Sequence, residues 1–145
     1  LHSLTAKAIT QQYVTLHVGA GTFKPVKAET MAEHEMHAEY IDVNQAFIEA
    51  VISHEHPIVA VGTTSLRTIE TLYWMGVKCL EFGSYLNSIA IEQISIAQWD
   101  AYELPQHYSK QEAFTALLHW MQATNNQRVL TKTQIIIAPG YRLRV

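Results

Sequence analysis

Residues 58–76 read IVAVGTTSLRTIETLYWMG, and the fold class turns on them. Ile58 to Val61 is a short apolar run of the kind that forms a strand buried on both faces. Gly62, Thr63, Thr64 and Ser65 follow, and then Leu66, Ile69, Leu72 and Tyr73 mark one stripe of a helix. Gly76 is placed to end that helix as its C′ residue. A strand, a glycine and a hydroxyl-rich helix start form the architecture that receives anions or nucleotides. The loop lacks the lysine of a phosphate-binding P-loop and the full dinucleotide fingerprint, so spacing alone favours reading Thr63, Thr64 and Ser65 as nothing more than helix caps. Arg67, one turn into the helix, either pairs with Glu70 three residues on or reaches a carboxylate or phosphate.

Upstream, residues 13–26 read YVTLHVGAGTFKPV. Tyr13, Val14, Thr15 and Val18 suit a strand. Gly19 and Gly21 then let the backbone turn and approach a ligand closely, with His17 before the turn and Thr22 after it. A plain hairpin with one surface histidine fits the same residues. Leu1, Leu4, Ala8 and Ile9 carry a helical spacing ahead of this strand, and Val26 and Ala28 can continue a second strand beyond Pro25. Thr30 and Glu33 form a capping box for a short helix over residues 31–37. Residues 39–43 extend as a strand, and Asn44 is an N-cap for a helix over 45–53 whose face is Ala46, Phe47, Ala50 and Val51.

Downstream, residues 80–99 have weak patterning; Ile89 with Ile91 and Ile94 with Ile96 suggest short strands, with a partly helical segment as the alternative. Ser109 and Glu112 make a second capping box, ahead of a helix over 113–123 with Phe114, Leu117, Leu118 and Met121 buried. Residues 133–138, TQIIIA, read as a central strand running into Pro139, Gly140 and Tyr141. Strands alternating with helices give an α/β domain, a layered sheet with flanking helices.

Composition narrows the function classes. The chain has 145 residues, 48% of them hydrophobic and 16% charged, enough for one domain with a real core. A net charge of −3 carries no dominant electrostatic footprint for nucleic acid. The single cysteine, Cys79, excludes an internal disulfide framework and a cysteine-based zinc site. Eight histidines include the pairs His34/His37 and His54/His56, yet no HExxH and no third ligand at a matching spacing accompany them. No apolar run approaches the ~20 residues that span a bilayer. The first residue is Leu1 rather than methionine, which reads as a piece of something longer.

Four motifs in order, TLHVGAGTFKPV (15–26), MHAEY (36–40), VAVGTTSLRTIE (59–70) and TQIIIAPGYRLRV (133–145), resemble the S-adenosylmethionine:tRNA ribosyltransferase-isomerase family of queuosine biosynthesis. The likeness covers nearly the whole chain and is weakest over 77–129. It implies a cytoplasmic, monomeric, metal-free enzyme with S-adenosylmethionine as co-substrate. The other substrate would be a tRNA carrying 7-aminomethyl-7-deazaguanine at the wobble position. The ribosyl part of the co-substrate would be transferred and isomerised to give epoxyqueuosine, with release of adenine and methionine. The resemblance also implies a larger two-domain enzyme. Residues 1–145 would be the central to C-terminal part of its α/β domain, with the β-barrel domain and two further motifs outside the chain. On its own such a piece is expected to fold at least partly, to bind S-adenosylmethionine weakly and not to turn over.

The resemblance assigns roles residue by residue. His17 and Glu39 are the acid–base candidates, with His17 alternatively an orienting donor and Glu39 a ribose-hydroxyl ligand. Gly19, Gly21, Thr22, Gly62, Thr63, Thr64, Ser65 and Arg67 would hold the co-substrate. His37, Tyr141 and Arg142 would contact the RNA, Tyr141 by stacking on a base. A non-catalytic nucleotide- or RNA-binding module is the competing class. A nucleotide hydrolase is disfavoured by the missing P-loop lysine.

Overall fold

A computed structural model describes residues 2–17, 19, 30 and 33–145. Three strands, β1 (Thr15–His17), β2 (Glu39–Asn44) and β3 (Arg128–Thr133), form an antiparallel sheet in the order β1-β2-β3. Its register pairs His17 with Tyr40 and Glu39 with Thr133. Strict alternation sets its two faces. Ile41, Val43, Val129 and Thr131 turn inward and are buried, whereas Tyr40, Leu130 and Lys132 turn out to solvent.

Six α-helices accompany the sheet among the described residues. These are α1 (His2–Thr5), α2 (Gln45–Ser53), α3 (Thr63–Phe82), α4 (Ile91–Ile94), α5 (Asp100–Glu103) and α6 (Lys110–Ala123). The described residues are therefore α/β, as expected, but with an antiparallel sheet. Two helices start where their caps dictate. The Asn44 side chain accepts from Phe47 N–H at 2.9 Å, and Ser109 and Glu112 complete their reciprocal capping box, which starts α6 at Lys110. The longest helix, α3, packs along α6 through Leu72, Tyr73, Met75 and Val77 against Phe114, Leu117 and Met121.

Several elements depart from the sequence reading. Gly76 does not end α3; it lies inside the helix, where a Cβ would meet the Ala113 carbonyl oxygen at 2.0 Å. Its missing side chain lets α3 and α6 touch backbone to backbone, and α3 runs on to Gly83, at φ 59°. Residues 58–61 join no strand among those described. Ile58 and Ala60 pack on the core, but Val59 and Val61 remain 85% and 87% exposed, so the run is not buried on both faces.

The third strand lies upstream of TQIIIA. Asn125, at φ 54°, turns the chain, and pairing with β2 begins at Arg128 opposite Asn44. Beyond Thr133 the backbone bonds instead to residues in and just before α5: Ile136 N–H donates to Gln98 O at 3.2 Å, and Ala138 N–H to the Tyr102 hydroxyl at 3.0 Å. Residues 91–94 are helix, not strand, with Ile94 buried. The first helix stops at Thr5, and Ala8 takes φ 55°. His34 to His37 are not helical. The expected second strand at Val26 and Ala28, and the loop residues Gly21 and Thr22, lie outside the described residues.

Candidate functional site

One end of the sheet gathers most of the candidate residues. There β1 leaves at His17, β2 enters at Glu39 and β3 leaves at Thr133. Glu39 shares the inward parity of Ile41 and Val43, so its carboxylate is carried into the protein and is 1% exposed. A carboxylate in that position requires compensation. His37 Nε2 lies 3.5 Å from its Oε1, and Arg67 Nη1 lies 3.9 Å from its Oε2.

Arg67 reaches this point from the second turn of α3, and most of its donors are engaged. Nε donates to Ile135 O at 3.1 Å, and Nη2 donates to Thr133 O at 3.1 Å and His37 O at 3.2 Å. The guanidinium thus ties the end of β3 to the segment that carries His37. Burial lowers its pKa, and the charge of Glu39 acts the other way. Arg67 Nη1, 3.9 Å from Glu39 Oε2, takes no part in these carbonyl bonds.

A second tie escaped the sequence reading. The Gln98 side chain accepts from Met36 N–H at 2.8 Å and donates to His34 O at 2.6 Å. A glutamine in a weakly patterned stretch gives no signal in the sequence. This clamp, with the Arg67 bond to His37 O, explains why residues 34–37 are not helical: their backbone groups are bonded across the fold rather than along the chain.

The start of α3 has the polar character expected of it. Gly62, at φ 97°, is the N-cap, and no side chain caps the first turn. Thr63 is exposed, and Thr64 and Ser65 are half-buried. Thr63, Thr64 and Ser65 are therefore not the helix's caps, and the first-turn N–H groups keep the partial positive charge of a helix N-terminus. At 1.5 Å per residue, Thr63 stands about 6 Å along the axis from Arg67.

The remaining candidates divide. His17 lies at the same end of the sheet as Glu39, but it sits directly opposite Tyr40 and so shares the outer face, across the sheet from the Glu39 carboxylate. Gly19 is exposed. Tyr141 is half-buried and anchored by its hydroxyl. Its hydroxyl donates to Glu70 at 2.5 Å and accepts from Trp74 Nε1 at 2.7 Å, and its ring meets Tyr102 edge-on at 5.7 Å. Arg142 is exposed beside it, whereas the Arg144 guanidinium lies over the Trp74 ring at 5.2 Å.

Glu70 is the hub of that second cluster. It does not pair with Arg67. Its buried carboxylate accepts from Arg144 N–H at 3.0 Å and Val145 N–H at 3.1 Å in addition to Tyr141. Burial raises its pKa, partly offset by these hydrogen bonds.

No helix among the described residues is long and apolar enough to cross a membrane. Comparison with known proteins adds to this geometry. A curated relative, the S-adenosylmethionine:tRNA ribosyltransferase-isomerase of Herminiimonas arsenicoxydans, is 51% identical over 74 residues, covering 49% of this chain and 22% of that protein. The match thus takes in about a fifth of the relative's length. No solved structure matches. The profile of the family described as queuosine biosynthesis protein matches residues 1–145. The chain belongs to the queuosine biosynthesis protein family.

Proposed function

We propose that this chain supplies the catalytic end of an S-adenosylmethionine-dependent tRNA ribosyltransferase-isomerase, as the α/β part of a larger cytoplasmic, monomeric enzyme with a separate barrel domain. The observation that carries this reading is the family match over the whole chain, supported by the name of the Herminiimonas relative. The reaction assigned is transfer and isomerisation of the ribosyl moiety onto 7-aminomethyl-7-deazaguanine in the anticodon, with release of adenine and methionine. S-adenosylmethionine brings a sulfonium whose positive charge acidifies the neighbouring ribose carbon.

The protein's part is to hold groups and move protons. Glu39 is the general base, fixed by Arg67 and His37 on either side of its carboxylate. His17, at the same sheet end, gives a proton to the departing adenine. The first turn of α3, with Thr63, Thr64 and Ser65, offers donors to the polar parts of the co-substrate, as does the loop containing Gly19, Gly21 and Thr22. That turn fits such a ligand because no side chain caps it. His37 and the exposed Arg142 contact the RNA. Tight positioning replaces a metal in this scheme.

The test is adenine release by the protein at its full natural length, incubated with S-adenosylmethionine and hypomodified tRNA. Free adenine that forms only when both are present supports the assignment. Binding of both ligands without adenine release would make the chain a non-catalytic nucleotide- or RNA-binding module.

A further inference from the structure

The outer face of the sheet is open, and its composition differs from the rest of the chain. Tyr40, in the middle strand, is 51% exposed, with His17 directly opposite on β1 and Lys132 directly opposite on β3. Cross-strand neighbours of this kind stand about 5 Å apart at Cβ. The Lys132 ammonium lies over the Tyr40 ring, 4.9 Å from its centroid. The next rungs add exposed Leu130 and Arg128, and the acid on this face, Asp42, is paired with Arg128 at 2.6 Å. Thus a chain of net charge −3 presents here an aromatic ring framed by a lysine and a histidine, with Asp42, the acid on this face among the described residues, neutralised.

Each part has a physical counterpart in single-stranded RNA. An exposed aromatic ring on a sheet offers a stacking surface to any base, and a cation beside it meets the phosphate. A protein partner would call for a broader apolar centre than Leu130 supplies. We propose that this face is a platform for a single-stranded RNA segment. One base stacks on Tyr40 and displaces the Lys132 ammonium from the ring to the adjoining phosphate, which sets the neighbouring nucleotide against His17. The inference deepens the functional reading above, on which it rests for the role of His17, by naming where the RNA lies.

The experiment is fluorescence anisotropy of a labelled single-stranded RNA decamer with the protein at its full natural length, in the absence of S-adenosylmethionine and over a salt series. Tyr40→Ala is expected to weaken binding about tenfold. Lys132→Gln is expected to weaken it several-fold and to lower the salt slope by about 0.7, the value for one lost phosphate contact on a single strand. Tyr85→Ala, an exposed aromatic off this face, should bind as wild type. Thermal melts check folding, which these exposed side chains do not support. Wild-type affinity in both Tyr40→Ala and Lys132→Gln, or no binding of the decamer at all, would overturn the platform. The adenine assay separates the two readings. Tyr40-dependent RNA binding without adenine release keeps the platform and removes the enzyme. Adenine release by Tyr40→Ala at an unchanged KM for tRNA keeps the enzyme and removes the platform.

Discussion

Glu39 and Glu70 are both buried carboxylates, 1% and 0% exposed, and the protein treats them in opposite ways. Glu70 takes its hydrogen bonds from neutral donors, two backbone N–H groups and a tyrosine hydroxyl, all from the last five residues of the chain, while the Arg144 charge acts on it only through space. Glu39 is flanked by ionisable groups, an imidazole and a guanidinium, at 3.5 and 3.9 Å. Neutral donors fix a segment in place, and their removal would be felt as lost structure. Ionisable neighbours at looser distances leave a carboxylate able to exchange a proton with a ligand. Burial alone does not distinguish a structural acid from a reactive one; the partners do.

The comparison depends on α3, which carries both Arg67 and Glu70, and the largest expected effect comes from disturbing that helix. Gly76→Ala places a methyl group 2.0 Å from the Ala113 carbonyl oxygen, where neither backbone can yield without separating α3 from α6. A loss of about 3 kcal/mol is expected, with both acid clusters disrupted together, measured by denaturant unfolding. A near-neutral result would mean that the two helices are not held at that contact.

Glu70→Ala comes next. It leaves the Arg144 and Val145 N–H groups without their acceptor, and a loss of about 2–3 kcal/mol is expected. Turnover per folded molecule should stay unchanged. The pH dependence of Glu70 has a definite sign. Its folded pKa is raised above the ordinary 4.5, so the folded state binds the proton more tightly than the unfolded chain does. The stability this contributes is fully present below about pH 4.5 and is lost as pH rises through the folded pKa. The stability of wild type relative to Glu70→Gln should therefore improve on acidification through that window and then level off. A difference that is flat with pH would mean that Glu70 is not held as described.

The smallest effect belongs to the start of α3. A residue that capped the helix would lose about 1 kcal/mol on substitution by alanine. Thr63 makes no cap, so Thr63→Ala should change stability by less than about 0.5 kcal/mol while weakening affinity for S-adenosylmethionine in calorimetry. Lost stability at unchanged affinity would return Thr63 to a purely structural role.

What the sequence made legible follows from the range of the interactions. Asn44 and Ser109 announce α2 and α6 because a cap and the N–H it binds are three residues apart, and both are visible in one window. The apolar runs IVAV and TQIIIA look like strands, but a strand exists by its neighbours, and nothing in either run says whether a neighbour is present. Residues 128–133 escaped notice although their burial alternates strictly, because Arg128, Thr131, Lys132 and Thr133 thin the apolar signal. Gly76 reads as a helix stop locally; its reason for being glycine is Ala113, on another helix.

The site divides along the same line. Glu39, His37 and the α3 start were reached through motifs. The spacing of Arg67 and Glu70 suggested a pair, yet their partners lie 28–75 residues away. Gln98 acts on residues more than 60 positions distant. No local pattern contains such contacts.

The division between the two carboxylates is tested most directly by measuring adenine release per folded molecule in Glu39→Gln and Glu70→Gln side by side, each beside its own thermal melt, at the protein's full natural length. The account predicts that Glu39→Gln loses about 10²–10⁴-fold in turnover and melts close to wild type, while Glu70→Gln turns over normally and melts at a different temperature. Normal turnover in Glu39→Gln would contradict the account, as would a loss in Glu70→Gln of the size expected for Glu39.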